Sequence, residues 1–442
     1  MRSKNTLMAL SILIPLLLFS CSKEKKTEQR APAEAKKIIT IQEGFHGWNS
    51  VTLRTPFTQI DVVPDLGGKI MGYDLRGFQL LWHDTKREGE LYKNEGYGFG
   101  ESFFNPGGAK VWPAPQGWSG KDQWPGPPDN VLDGSPYEYT SDSNSITVTG
   151  PRDTGEGRTG LQYMHTFSLK NSSSLLDLKL TMTDVVNRPV KWGLWHLATL
   201  PVDRPVTVYA PVINNSDWHV IFGEKDNPQW LGVEKGLFRA RYDKRVGKVG
   251  MKVTEGWIAW HDEENDAVFV MMFPVKKGAE YPDNGSNVEI WTSGTGTFRA
   301  NNRDFQTEYS PDTALMELEV MGPLTRLAPG ESSSLGVTWG ACFCSDVKKV
   351  LPCGVVAQEP VVEGGMIKAK FGVFYGGYLQ IVYLDKNRQQ KGYKNIMEIS
   401  PISEVIIDQE VERISSFGAG VRYQVLPYGA KTAEVLGELM LK

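Results

Sequence analysis

The sequence predicts an all-β protein: a large antiparallel β-sandwich followed by a small one. Three observations carry this. Short runs rich in β-branched and aromatic residues recur between turn clusters, namely SITVTG, LLDLKLTMTD, VTVYAP, AVFVMMF, NVEIWTS, ALMELEV and LGVTWGACF. No stretch of three helical turns or more shows amphipathic spacing in the body of the chain. The strand pattern also runs unbroken across 39–347, with no linker-like composition to split it.

Near SDVKKVLPCG the character changes. MIKAKFGVFYGGYLQIVYLD, SEVIIDQEV and VRYQVLPYG then supply the strands of a separate small sandwich over 350–442, a size suited to an independent core. No repeat period points to a propeller or solenoid.

The N-terminal segment is read differently. Arg2 and Lys4 precede an apolar run over 7–19, too short to span a bilayer as a helix, which Ser20-Cys21 closes. LFSC resembles a bacterial lipobox, so 1–21 is expected to be a lipoprotein signal peptide with Cys21 as the lipidated residue. The charged stretch 22–38 reads as a disordered tether. The implied location is the bacterial cell envelope, with the membrane as a partner through the N-terminal lipid. The balance of 48 basic against 52 acidic residues gives no sign of a nucleic-acid partner.

Apart from Cys21 there are three cysteines, Cys342, Cys344 and Cys353. An odd number cannot all pair, and C-x-C with no histidine nearby is a poor zinc site, so they read as small buried residues at a strand end. The histidines, His46, His83, His165, His196, His219 and His261, show no pair at helical spacing. The sequence motifs give no metal ligand set and no cofactor, and there is neither a nucleophile elbow nor a P-loop. Any chemistry rests on carboxylates and isolated histidines.

GGAKVWPAPQGWSGKDQWPGPPDN (107–130) places Trp112, Trp118 and Trp124 in a stretch broken every few residues by proline or glycine. Neither a helix nor a central strand tolerates that pattern, so a loop is expected.

Three segments, in order, resemble the aldose 1-epimerase and galactose mutarotase-like superfamily. VVPDLGGKIMGYDLRGFQLLWHD resembles its opening strand, G-G-x-I turn and return. LLDLKLTMTDVVNRPVKWGLWHLATLP resembles the long strand ending in T-x-x-x-x-x-P-V, with a following strand that delivers a histidine. ALMELEVMGPLTRLAPGESSSLGVTW resembles the strand glutamate followed by an L-x-P-G-E turn. Within the superfamily the GGAKVWPAP segment looks most like an uncharacterised branch of bacterial proteins.

The resemblance implies a galactose mutarotase-like β-supersandwich whose concave face binds a carbohydrate. It implies an isomerase in which a glutamate takes the anomeric proton and a histidine protonates the ring oxygen. By position His196 matches the acid and Glu319 the base, with Glu317 as substitute on the same strand face. Read from its neighbours alone, His196 is a core histidine, and the two glutamates are the solvated face of a half-buried strand. The superfamily's second histidine is replaced by Pro106 in NPGG, which leaves open a non-catalytic glycan-binding protein, with Lys110 as a replacement donor. Trp112, Trp118, Trp124 and Trp291 are then sugar platforms, with Lys110 and Asp129 as polar partners. The same tryptophans also suit a lid packed on the strands.

Overall fold

The computed structural model describes residues 39–92, 104–117, 123–127, 129–300 and 303–441. The expected signal peptide, tether and lipidation site at Cys21 lie outside these residues, as does Trp118.

All seven runs singled out above lie in strands, because in each the alternate side chains have somewhere apolar to go. Leu176–Asp184 sends Leu176, Leu178, Leu180 and Met182 into one core. Leu315–Met321 sends Met316, Leu318 and Val320 the same way and leaves Glu317 and Glu319 on the other face.

These strands build two facing antiparallel sheets. The larger runs in the order Trp230–Glu234, Leu237–Arg241, Val206–Ala210, Trp257–Asp262, Ala267–Met272, Ser332–Phe343, Leu176–Asp184, Leu161–Leu169, Ser145–Thr149 and Glu138–Ser141. The smaller runs Trp218–Phe222, Gly247–Met251, Val288–Thr292, Leu315–Met321, Val190–Pro201 and Thr325–Leu327, with Ala109–Ala114 also paired to Val190–Pro201. A five-stranded sheet over 39–79 adds Leu53, Ile60, Val62 and Tyr73 to the same core. Each such side chain taken fully from water contributes about 1.5–3 kcal/mol.

One polar contact joins the two main sheets through this core. His196 stacks on Trp339 with ring centroids 5.6 Å apart. The Trp339 indole donates to His196 Nε2 at 3.2 Å, and His196 Nδ1 lies 3.1 Å from the Lys110 carbonyl. The ring is therefore neutral, with its proton on Nδ1. Burial drives its pKa down to about 4, although the Lys110 carbonyl favours the proton. Burial likewise takes the neighbouring His165 down to about 3.

The stretch from Ala109 to Ala114 corrects the expectation of a loop. It forms an antiparallel strand on Val190–Pro201, with Pro113 opposite Leu194. Among the described residues no strand pairs with its far side, and an edge strand tolerates proline where a central one does not.

The chain enters a second pair of sheets at Lys349. One comprises Lys349–Leu351, Gly354–Glu363, Met366–Val373 and Val405–Glu410. The other comprises Gln390–Ile399, Gly377–Leu384, Gly420–Pro427 and Glu434–Met440. They enclose Ile367, Phe371, Leu379, Ile381 and Tyr423. A further apolar cluster, including Trp257, Val270, Cys342, Cys344, Val355 and Phe374, joins this pair of sheets to the large sandwich. Cys342, Cys344 and Cys353 are buried free thiols. Gly372 is required at this contact, since a Cβ there would stand 2.4 Å from Cys342 Sγ.

A histidine held neutral in the fold but free to charge when unfolded makes stability fall as pH drops below its unfolded value of 6.5. For His196 the full effect is roughly 3 kcal/mol, reached near pH 4. Urea unfolding at pH 7.5 and 5.0 isolates this contribution by comparison with His196→Gln, because the buried Glu289–Glu319 pair gains stability over the same range and opposes it. Wild type minus His196→Gln stability should be lower at pH 5.0 than at pH 7.5.

Candidate functional site

The smaller sheet has two faces, and strand alternation sorts its residues between them. On Val190–Pro201, Leu194, His196, Ala198 and Leu200 point into the inter-sheet core, and Trp195, Leu197 and Thr199 point away. Register then places Leu197 opposite Glu319 and Thr199 opposite Glu317. Glu289 lies opposite Glu319, Trp291 opposite Glu317, and Lys248 opposite Trp291. Lys110 and Trp112 join the same face from Ala109–Ala114.

This outer face carries a buried network of charges. Lys248 Nζ sits 2.7 Å from Glu289 Oε2 and 2.9 Å from Glu319 Oε2, and 4.4 Å from the centre of the Trp195 ring. Beside it, Lys110 Nζ is 3.1 Å from Glu317 Oε1 and donates to Asn105 Oδ1 at 2.6 Å, and Asn105 Nδ2 donates to the same glutamate oxygen at 3.3 Å. Lys248, Glu289 and Glu319 are each at most 1% exposed.

The energetics follow from the count of charges. Three carboxyls face two ammoniums, so full ionisation would bury an unbalanced negative charge, which is costly. Burial raises the Glu289 carboxyl well above the usual carboxylate range despite Lys248. Burial also raises Glu319; Lys248 opposes this, Glu317 adds to it, and the result is about 7. For Lys248, burial works against the charge, but Glu289 and Glu319 overcome it and hold the ammonium above its ordinary value. One proton retained on the Glu289–Glu319 pair balances the cluster.

The network floors a cavity of about 110 Å³. Glu317, Glu319, Lys110 and Lys248 line it, with Asn105 and Gln116; Trp112, Trp195, Trp291, Phe298 and Pro127 supply apolar wall. Glu289 is not among the lining residues, so Glu319 is the member of the raised pair that borders the cavity.

Of the residues the sequence singled out, the structure brings together Glu319, Glu317, Lys110, Trp112 and Trp291. It places His196 elsewhere. His196 is opposite Val320, on the core face of the sheet, while Glu319 is on the outer face, so the expected acid–base pair lies back to back. Both ring nitrogens already have partners in the core. Trp124 is fully buried, and its indole donates to Asp129 Oδ2 at 2.8 Å. Asp129 also accepts from Val131 N, Leu132 N and Arg158, so this pair braces the turn behind Trp112 and does not face the cavity. Trp112 leans on Trp124, with ring centres 5.1 Å apart, and donates to Asp133 at 2.8 Å. Lys248, central to the site, was not singled out by the sequence.

Residues 49–341 match the family model described as a domain of unknown function, DUF4380. The chain belongs to this family. Several solved structures resemble this DUF4380 chain at low sequence identity. Slr1438 from Synechocystis sp. PCC 6803 is 11% identical, with a TM-score of 0.44, over 69% of this chain and 99% of its own. A galactose mutarotase-like protein from Lactobacillus casei ATCC 334 is 11% identical, with a TM-score of 0.43, over 66% and 99%. Another, from Clostridium acetobutylicum, is 11% identical, with a TM-score of 0.42, over 69% and 98%. No curated protein matches the sequence.

Removing the shared cation should be severe. Lys248→Met leaves Glu289 and Glu319 buried without their counter-charge, a loss of about 3–5 kcal/mol. Both carboxyls can escape by taking protons, so chemical denaturation should show a larger deficit at pH 8 than at pH 5.

Proposed function

We propose that the cavity on the outer face of the smaller sheet binds a carbohydrate. A sugar ring presents apolar C–H faces and a rim of hydroxyls. The cavity offers indole faces together with carboxylates, ammoniums and side-chain amides that can both donate to and accept from hydroxyls. The observation that carries this reading is the convergence of Trp112, Trp291, Glu317, Glu319 and Lys110 on one cavity. Glu317 and Lys110, already oriented by Asn105, serve as the hydroxyl-recognising pair.

A second reading adds proton transfer. It is favoured by the raised Glu319 carboxyl, since a general base works best when its pKa is near the working pH. Glu319 would take the anomeric proton of a hemiacetal, as in an aldose epimerase. His196 has no part in this scheme, so the ring-oxygen proton must come from another cavity group. The Lys110 ammonium, which lines the cavity beside Glu317, is a group there that carries a proton to give. Membrane attachment through lipidated Cys21 completes the proposal and places the pocket at the cell envelope.

Intrinsic fluorescence and calorimetry with a panel of mono- and oligosaccharides test the binding reading. Trp291→Ala should weaken binding roughly tenfold, from the loss of one aromatic face worth about 1–1.5 kcal/mol. No binding across the panel would refute it. Anomer exchange followed by NMR separates the two readings. Catalysis requires exchange faster than in buffer that is lost in Glu319→Gln; binding alone requires affinity without acceleration.

A further inference from the structure

The strands Ile39–Phe45 and Trp48–Arg54 are joined by a two-residue turn, His46-Gly47. Both residues have positive φ, 45° and 88°, as a type I′ hairpin turn demands. Asparagine, aspartate or glycine is the usual first residue, and histidine is an uncommon choice there. The turn aims the His46 ring at two residues from a distant part of the chain. His46 Nδ1 lies 2.8 Å from Glu88 Oε1, and His83 Nε2 lies 3.0 Å from the same oxygen. The two imidazoles are 4.4 Å apart between centres.

The support beneath is rigid. Phe45 packs edge-on against both rings. Trp48 donates to the Glu90 carbonyl at 2.7 Å, tying the hairpin to the segment that carries Glu88. The Asp84 side chain accepts from Lys86 N and caps the short turn Thr85–Arg87 just before it. None of these three ligand-type side chains lines the carbohydrate cavity.

We propose that His46, His83 and Glu88 form a binding site for a divalent first-row transition-metal ion, with its remaining coordination positions open to solvent. Two imidazoles and one carboxylate are the donor set such ions take, and three protein ligands leave room for water. Their donor atoms all lie within 4.8 Å of one another. Ligands about 2.1 Å from an ion and at right angles to each other stand roughly 3 Å apart, which matches the two nitrogen–oxygen spacings. The ion would act as a clamp. Residue 83 bridges Gly107, and Gly108 N donates to the Trp82 carbonyl at 2.9 Å, so the site is tied to the segment carrying Asn105 and Lys110. This proposal does not depend on what the cavity binds.

Zn²⁺ and Co²⁺ titrated into the chelator-treated full chain provide the test, followed by calorimetry and by the visible absorption of Co²⁺. One ion per chain is expected, with affinity falling at least tenfold in His83→Ala and in Glu88→Gln and unchanged in His219→Ala. His46→Asn should lose affinity similarly while keeping the turn, since asparagine accepts the left-handed conformation. Glu88→Gln can still hydrogen-bond a histidine, so it separates a metal site from a merely hydrogen-bonded trio. No binding by the wild type, or binding that survives combined His46→Asn and His83→Ala, overturns the proposal.

Discussion

The Lys248 ammonium, enclosed between Glu289 and Glu319 beneath the Trp195 ring, is the interaction on which the candidate site depends. The two glutamates stand directly opposite each other on neighbouring strands, where like charges destabilise a sheet. A cation between them makes the arrangement tenable, and their burial keeps a proton within the pair. Lys248 also lines the cavity, so it links the stability of the sheet to the chemistry of the pocket floor. A pocket built this way holds its polar groups in place before any ligand arrives, which lowers the cost of ordering them on binding.

The rest of the architecture divides work between the faces of one sheet. The inner face packs Ile290, Leu318, Val320 and Val249 against the larger sheet and is joined to it by His196 and Trp339. The outer face carries the charged floor and indole walls. The edge strand Ala109–Ala114 contributes to both, since the Lys110 carbonyl fixes the His196 tautomer while the Lys110 ammonium holds Glu317. Core packing and site geometry are therefore coupled through a single residue.

The strands were legible because they alternate cleanly. Leu315–Met321 reads apolar at every second position, so the shared face of Glu317 and Glu319 follows from the sequence alone. Val190–Pro201 does not alternate: both faces are buried, and LWHLATL is apolar at nearly every position, so its neighbours mark His196 as buried without saying which face it takes. One residue of register separates a core histidine from a pocket histidine, and only the pairing with Leu315–Met321 decides it. Lys248 was illegible for a related reason. It sits in the short run GKVGM, and its role comes from pairing to Val288–Thr292, which in turn pairs to the Glu319 strand. The tryptophan segment misled in part because the edge of a sheet relaxes the usual bar on proline. The His46, His83 and Glu88 cluster comes from two turns and an isolated bridge residue and lacks any spacing that a motif could capture.

The role of the buried glutamates is tested most directly by titrating the glutamate side chains by ¹³C NMR in the intact chain, with Glu319→Gln for assignment, in the absence and presence of a binding sugar. The Glu319 carboxyl should titrate near pH 7 and shift when the ligand is added. A Glu319 that titrates with the ordinary surface glutamates, or that is indifferent to a bound sugar, would contradict it.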